Sequence, residues 1–542
     1  MGLSLKSAIK SISRGPKVLS DPIVEALSKE SALWEKWKQG ASGKRILIAT
    51  SMTGYIHGSS MDRVLALALT EKGHQVAFLL CDSDLEACQI IKFSSYKPEQ
   101  LMKSENTPRC SSCAPHINKL FAPLGLPIFN FKSDRSQEAK QKEIFLKMDF
   151  EELKEFQIGS VKIGMHAWAG AVRYFASTQF TGEPDAKEIL IRFLISGIRL
   201  HDSTSNVINE FKPDILIAHH GIYIPQGVVS EVAREKQVSL MTWTASYRKG
   251  TFIFSPDETY HYSMVTEPTS NWEELELTKK QLSVLDKYMN SRWRGDNDWI
   301  KFSDSKVDQS VSKERTSDFF LALTSVTWDA ELHYDSRAFS SMREWLAKTV
   351  EYFTENPDLQ LIIRVHPAEV TSPNKSRESM FDYVNSLKLN LPPNIELIAP
   401  TDKTSTYELI EKSRAVIVYN TKTGIEAAYR NKPVIIAGES WLRGKRIGWD
   451  VKNSEQYVEI LDKFKSSQAM SFEQSKRAKQ YAFHFFFRRM IRISVFSDPF
   501  SSDWLFPNRK LKLGEIAGKD DLNFQQILIG INQAITPIGE ST

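Results

Sequence analysis

Residues 415–436 read Ala415-Val416-Ile417-Val418-Tyr419-Asn420-Thr421-Lys422-Thr423-Gly424-Ile425-Glu426-Ala427-Ala428-Tyr429-Arg430-Asn431-Lys432-Pro433-Val434-Ile435-Ile436. An apolar run, a hydroxyl-rich turn, a short stretch of helix formers and a second apolar run predict strand, helix, strand. Two buried strands joined through a helix pair in parallel, because parallel pairing needs a crossover. Upstream, Leu359 to Val365 is a further apolar strand, stopped by His366-Pro367. The same alternation runs from the strand Asp318 to Leu323 through helices at Met342 to Thr354 and Tyr407 to Lys412 and a strand at Ile395 to Ile398.

Working outward, an earlier series has the same character. Arg45 to Thr50 is a strand, a glycine-bearing loop follows, Asp62 to Lys72 is a helix ended by Gly73, and Gln75 to Leu80 is a second strand. Residues 120–210 read as mainly helical. Pro213 to Ala218 and Val238 to Trp243 then supply strands on either side of a helix from Gly227 to Lys236. A chain of 542 residues exceeds what one core organises, so two α/β domains are expected. We place a basic helical extension at 1–40, an N-terminal domain at 41–290, a linker at 291–315, a C-terminal domain at 316–470, and a helix and tail at 471–542. Within that tail, 471–495 reads as one long helix bearing Tyr481, Phe483, Phe485, Phe486 and Phe487 beside Arg488, Arg489 and Arg492. Its aromatic stripe suits either a helix packing back across the domains or a membrane-facing surface.

Composition excludes whole classes. The 70 Lys and Arg against 66 Asp and Glu leave a formal charge of only +4, which gives no global electrostatic case for nucleic acid. No run approaches the ~18 apolar residues of a spanning helix. The first seventeen residues carry Lys6, Lys10, Arg14 and Lys17 with no acid. They suit peripheral contact with an anionic membrane, or simple solvation. No export signal is legible, so the expected location is cytoplasmic, with the inner face of the plasma membrane as the place of any such contact.

Chemistry-bearing residues gather at strand ends. The turn Thr421-Lys422-Thr423-Gly424 opens a helix whose unpaired amides and hydroxyls suit a diphosphate, with Glu426 placed to bridge ribose hydroxyls. The same residues would also make an ordinary capped turn. His366, protonated, would bond a phosphate oxygen and stabilise a nucleotide leaving group. In the first half, His57 and Asp62 follow the first strand, and His220 lies past another strand end with Gly221 and Tyr223. Any of the three would serve as a general base, and Asp62 equally as a helix cap. Tyr247, Arg248, Lys249, Asp257 and His261 also fall on loops.

All four cysteines lie between Cys81 and Cys113, as Cys81, Cys88, Cys110 and Cys113, with His116 nearby. That set suits a structural zinc, or buried thiols.

The stretches Arg364 to Pro367, Thr406 to Leu409, Tyr419 to Ala428 and Lys432 to Val434 resemble the C-terminal half of bacterial capsule polysaccharide biosynthesis glycosyltransferases. They are more loosely similar to Kdo transferases and sialyltransferases with a His-Pro loop. The resemblance covers about 120 residues. It implies a GT-B-like α/β fold, with two Rossmann-like parallel-sheet domains facing a cleft. It further implies a nucleotide-sugar donor held through His366, Thr421, Thr423 and Glu426, an oligosaccharide or lipid-linked acceptor, and no cofactor required for catalysis; Arg364, Lys422 and Gly424 of the same two loops complete the candidate donor-binding set. Asn420-Thr421-Lys422-Thr423 departs from the commoner Ser-Thr-x-Gly spelling and leaves open which hydroxyl contacts the donor. Polyol-phosphate transfer, sugar-nucleotide 2-epimerisation and a non-catalytic nucleotide-sugar-binding scaffold are the rival readings.

Overall fold

The structure, a computed structural model, describes residues 21–292 (except 51 and 53), 318–329, 338–496 (except 373, 389 and 467) and 507–539 (except 509, 517 and 519). The basic segment 1–17 and most of the expected linker lie outside the described residues. Contacts divide the chain into two compact units. One holds the residues up to Phe175, Gln179–Tyr260 and those from Arg488 on, and the other holds Ala176–Thr178 and His261–Phe487. The expected bounds were 41–290 and 316–470.

The first unit is built on a seven-stranded sheet of β1 (Arg45–Ala49), β2 (Gln75–Leu80), β3 (Ile128–Asn130), β4 (Ile215–His219), β5 (Ser239–Ala245), β6 (Thr251–Pro256) and β13 (Ile491–Arg492). Its order is β3-β2-β1-β4-β5-β6-β13, parallel from β3 to β5, with β6 and β13 added antiparallel. Its central strands β1, β2 and β4 are mainly apolar, as suits a parallel sheet covered by helices on both faces. Ile46, Leu47 and Ile48 are wholly buried, and each contributes about 1.5–3 kcal/mol by leaving water.

The second unit holds a six-stranded, all-parallel sheet of β7 (Phe319–Leu323), β8 (Gln360–Arg364), β9 (Ile395–Ile398), β10 (Ala415–Val418), β11 (Val434–Ile436) and β12 (Trp449–Asp450). Its order, β9-β8-β7-β10-β11-β12, repeats the winding of the first sheet: the first strand is central, two go to one side, then the chain reverses to the other. Ligands in such sheets bind outside the carboxyl ends of the strands at that reversal. The two reversals lie at β1/β4 and β7/β10.

The two α/β sheets match the expected fold class, and local structure corrects three readings. The helix after β1 is α1 (Ile56–Glu71), which begins six residues earlier than predicted, so Asp62 sits inside it and caps nothing. The predicted helix 471–495 is instead an α-helix, Phe472–Phe483, then a π-turn His484–Arg488, and then β13. Its aromatic stripe is core. Tyr481, Phe485 and Phe486 are buried, against Trp272 (4.9 Å), Trp441 (5.4 Å) and Tyr288 (5.1 Å). No helix among the described residues is long and apolar enough to cross a membrane.

Candidate functional site

In the second unit the residues after β7, β8 and β10 meet at the sheet reversal. β8 ends at Arg364, and Pro367 turns the chain so that His366 stands beyond the strand end. The His366 amide donates to Thr324 Oγ1 at 3.0 Å, and Ser325 Oγ donates to Asn420. The loops of three adjacent strands are thereby tied into one floor.

Burial, followed by the charges of Lys422 and Arg364, pushes the His366 imidazole down to about 4. The ring is therefore neutral at physiological pH, which corrects the expectation of a cation. Its Nδ1 accepts from the Ala368 amide at 3.0 Å. An acceptor at Nδ1 requires the proton on Nε2. The histidine is thus a fixed, uncharged donor, and the nearby cation is Lys422. No single strand-end motif specifies that pairing.

The rest of the expected donor set divides. The Thr421 hydroxyl accepts from the Thr423 amide at 3.3 Å and bonds Thr423 Oγ1 at 3.2 Å, while the Gly424 and Ile425 amides donate to Thr421 and Lys422 carbonyls at 3.4 and 2.9 Å. The amides expected to be open at the helix entrance are engaged in a tight turn, and the helix, α2 (Thr423–Tyr429), is only seven residues long. Gly424 serves packing: a Cβ there would lie 3.1 Å from Leu442 Cδ1 and 3.4 Å from Val418 Cγ2.

Glu426 does not reach for a ribose. It is buried, paired with Arg292 at 2.9 Å and Lys422 at 3.5 Å, and accepts from Tyr407 Oη. Burial alone would raise its carboxyl, yet Arg292 and Lys422 hold it down to about 2. Its part is to position Lys422. Arg364 is likewise taken: Nη2 donates to the Asp402 carbonyl at 3.0 Å and Nη1 to that of Ala399, which holds the loop after β9.

In the first unit the β1/β4 reversal carries a different group. Asp62 is almost fully enclosed and accepts a 2.9 Å hydrogen bond from the indole Nε1 of Trp243 on β5. Burial pushes its carboxyl up to about 7, against the opposing hydrogen bonds of Thr50 and Trp243. His219, at the end of β4, packs 4.8 Å from Trp243 and 5.3 Å from Tyr55, and burial lowers it to about 4. The sequence places His219 with His220 and Gly221 at a strand end, whereas Trp243 and Tyr55 carry no such local signal. Trp243 lies near the carboxyl end of β5, His219 at that of β4, and Tyr55 just before α1 in the loop after β1, so the grouping needs the strand order to be read.

His57 lies in the first turn of α1. His220 stands next to the group, its ring 5.7 Å from Tyr260 and 5.9 Å from Tyr223. It has φ 68° and Tyr223 has φ 65°, left-handed conformations that cost non-glycine residues about 1–2 kcal/mol each. Strain of that kind concentrates at functional sites. His261 instead stacks on Trp441 at 5.9 Å within the second unit, and Arg248 bonds the Met490 carbonyl at 2.9 Å.

Residues 280–481 match the model of a family described as "Capsule polysaccharide biosynthesis protein". A search of curated protein sequences returned no match. Solved structures with some likeness include a Thermosulfurimonas dismutans KpsC, beta Kdo 2,4 transferase, at 13% identity over 49% of this chain and 78% of that one, with TM-score 0.31. A Staphylococcus aureus MnaA–UDP co-structure shares 12% identity over 91% and 96%, at 0.27. A UDP-GlcNAc 2-epimerase from Neisseria meningitidis shares 9% over 81% and 98%, at 0.24. At these scores no residue role passes from them to this chain. The matched segment, residues 280–481, contains β7 to β12 and the His366–Lys422 floor.

Proposed function

We propose that the chain is a glycosyltransferase of capsule polysaccharide assembly, which moves a sugar from a nucleotide-sugar donor to a saccharide acceptor. The observation that carries this is the meeting of a neutral histidine donor and a buffered lysine at the β7/β10 reversal of a capsule-biosynthesis domain.

In that reading the diphosphate lies against the loops after β8 and β10. His366 Nε2–H donates to a phosphate oxygen, the Lys422 ammonium balances the charge that grows on the leaving diphosphate, and Thr423, oriented by the Thr421 hydroxyl, adds a hydroxyl donor. A neutral imidazole keeps its proton through the reaction, so it binds and stabilises without acting as an acid. Glu426 fixes Lys422. The base that takes the acceptor hydroxyl's proton is Asp62, whose carboxyl near 7 lies where a general base works best at physiological pH. A lipid-linked acceptor would fit the basic charge of the first seventeen residues.

Incubation of the chain with CMP-, UDP-, GDP- and dTDP-sugars and capsule oligosaccharide tests the reading. Free nucleotide should appear with one donor and only when acceptor is present. Epimerised sugar without nucleotide release would support the epimerase instead, and nucleotide binding without turnover would leave a scaffold.

A further inference from the structure

The chain's four cysteines come from three separate places: Cys81 directly after β2, Cys88 in the loop that follows, and Cys110 and Cys113 one turn apart on a short helix. The fold nevertheless brings all four to the wall of one small pocket, with Met52 and Leu85. No mechanism above uses them.

Each of the four sulfurs has a hydrogen-bond partner. The Gly54 amide donates to Cys113 Sγ at 2.8 Å, and the Thr107 hydroxyl stands 2.8 Å from Cys110 Sγ. The Ser83 and Ile90 amides, each two residues beyond its cysteine, serve Cys81 and Cys88. Neutral thiols are weak acceptors, so backbone donors aimed at sulfur favour the ionised form. Three sulfurs with amide donors and a fourth beside a hydroxyl, gathered on the wall of one pocket, make a donor set for a soft cation.

We propose that Cys81, Cys88, Cys110 and Cys113 form a closed structural zinc site. Among the described residues no three of His, Cys, Asp and Glu stand, as they are, close enough to hold a metal ion. The proposed site would need the sulfurs drawn inward by rotation of these short side chains. Four S–H groups release four protons to solvent as four sulfur–zinc bonds form, with no change of oxidation state. An all-sulfur set selects zinc over hard cations, and Arg109 on the pocket wall offsets the net negative charge of the filled site.

The site would staple the loop after β1. A Cβ on Gly54 would lie 2.6 Å from Cys113 Sγ, so that loop rests directly on the thiol group. It leads into α1 and Asp62. The inference does not depend on the transferase reading, because its readout is metal content.

The test is elemental analysis of the full-length chain purified without chelator, followed by replacement with Co²⁺. About one zinc per chain is expected. The Co²⁺ form should show thiolate-to-metal charge transfer in the near ultraviolet and intense tetrahedral visible bands. Cys88→Ser and Cys113→Ser should each weaken Zn²⁺ binding at least about tenfold. Counting of alkylated thiols in the unsubstituted chain, with and without Zn²⁺, keeps the test decisive if a variant misfolds: all four should be shielded by the metal. Absence of zinc with no cobalt–thiolate bands, disulfides among the four, or bound iron in place of zinc would each overturn the proposal.

Discussion

The two α/β units wind their central sheets in the same order and carry opposite electrostatics at the same topological place. At the β7/β10 reversal a neutral histidine stands near a lysine that is itself held by a buried glutamate. At the β1/β4 reversal a buried carboxylate stands among aromatic rings with its proton held near neutrality. Burial acts on both. It strips the charge from His366 and keeps the proton on Asp62, and the difference lies in which neighbours oppose it. In the proposed reaction the first arrangement would receive an anion and the second a proton. Shared topology therefore says where a site is, and the side chains at the strand ends say what it does.

The comparison breaks most readily at Asp62. Asp62→Asn should lower kcat about 10²–10⁴-fold, the usual worth of a general base, with nucleotide-sugar affinity unchanged. A loss under about tenfold would reduce Asp62 to a buried polar group serving Trp243.

Next in size is Glu426→Ala. It removes the carboxylate paired with the buried Arg292 and should cost about 3–5 kcal/mol in urea unfolding. Unchanged stability would mean that the Arg292–Glu426–Lys422 set does not hold the second site in place.

The pH dependence of stability sharpens the contrast. Asp62 has a folded-state pKa raised from its ordinary value to about 7. The folded chain therefore binds a proton there that the unfolded chain has already lost between about pH 4 and 7. The resulting stabilisation is complete below the unfolded value and is lost as pH rises through 7. Asp62→Asn should thus be more stable than the unsubstituted chain at pH 8, by up to a few kcal/mol, with the gap closing toward pH 4. A gap of the same size at both pH values would contradict a protonated Asp62.

A smaller, purely kinetic signature follows. kcat/KM should fall about tenfold per pH unit below about 7 through Asp62 alone. His366, already near 4, adds no limb between pH 5 and 8. A second limb near 6.5 would mean that the histidine titrates, and would restore its reading as a cation.

The two sites were not equally legible in the sequence. The second could be located because its parts are local: the strand, the Pro367 stop and the Thr421–Gly424 turn are all contiguous. What contiguity hides is partnership. Arg292, over a hundred residues upstream, takes the carboxylate that spacing alone assigned to a ribose, and the Ala368 amide sets the tautomer of His366. In the first unit Asp62 was visible and its environment was not, because Trp243 reaches it across 181 positions. The helix read from 471 to 495 failed for a related reason. Apolar periodicity continues through His484–Arg488, yet edge pairing of Ile491 with Phe252 on β6 claims the chain for a strand.

The central claim is that the His366–Lys422 floor holds the donor diphosphate, and calorimetric titration of the accepted nucleotide-sugar into the unsubstituted chain and His366→Ala tests it most directly. Loss of one hydrogen bond to a charged phosphate is worth about 1.5–3 kcal/mol, so the Kd should rise roughly 10- to 150-fold, with fold and thermal stability of the unliganded variant retained. An unchanged Kd in a folded variant would contradict the account.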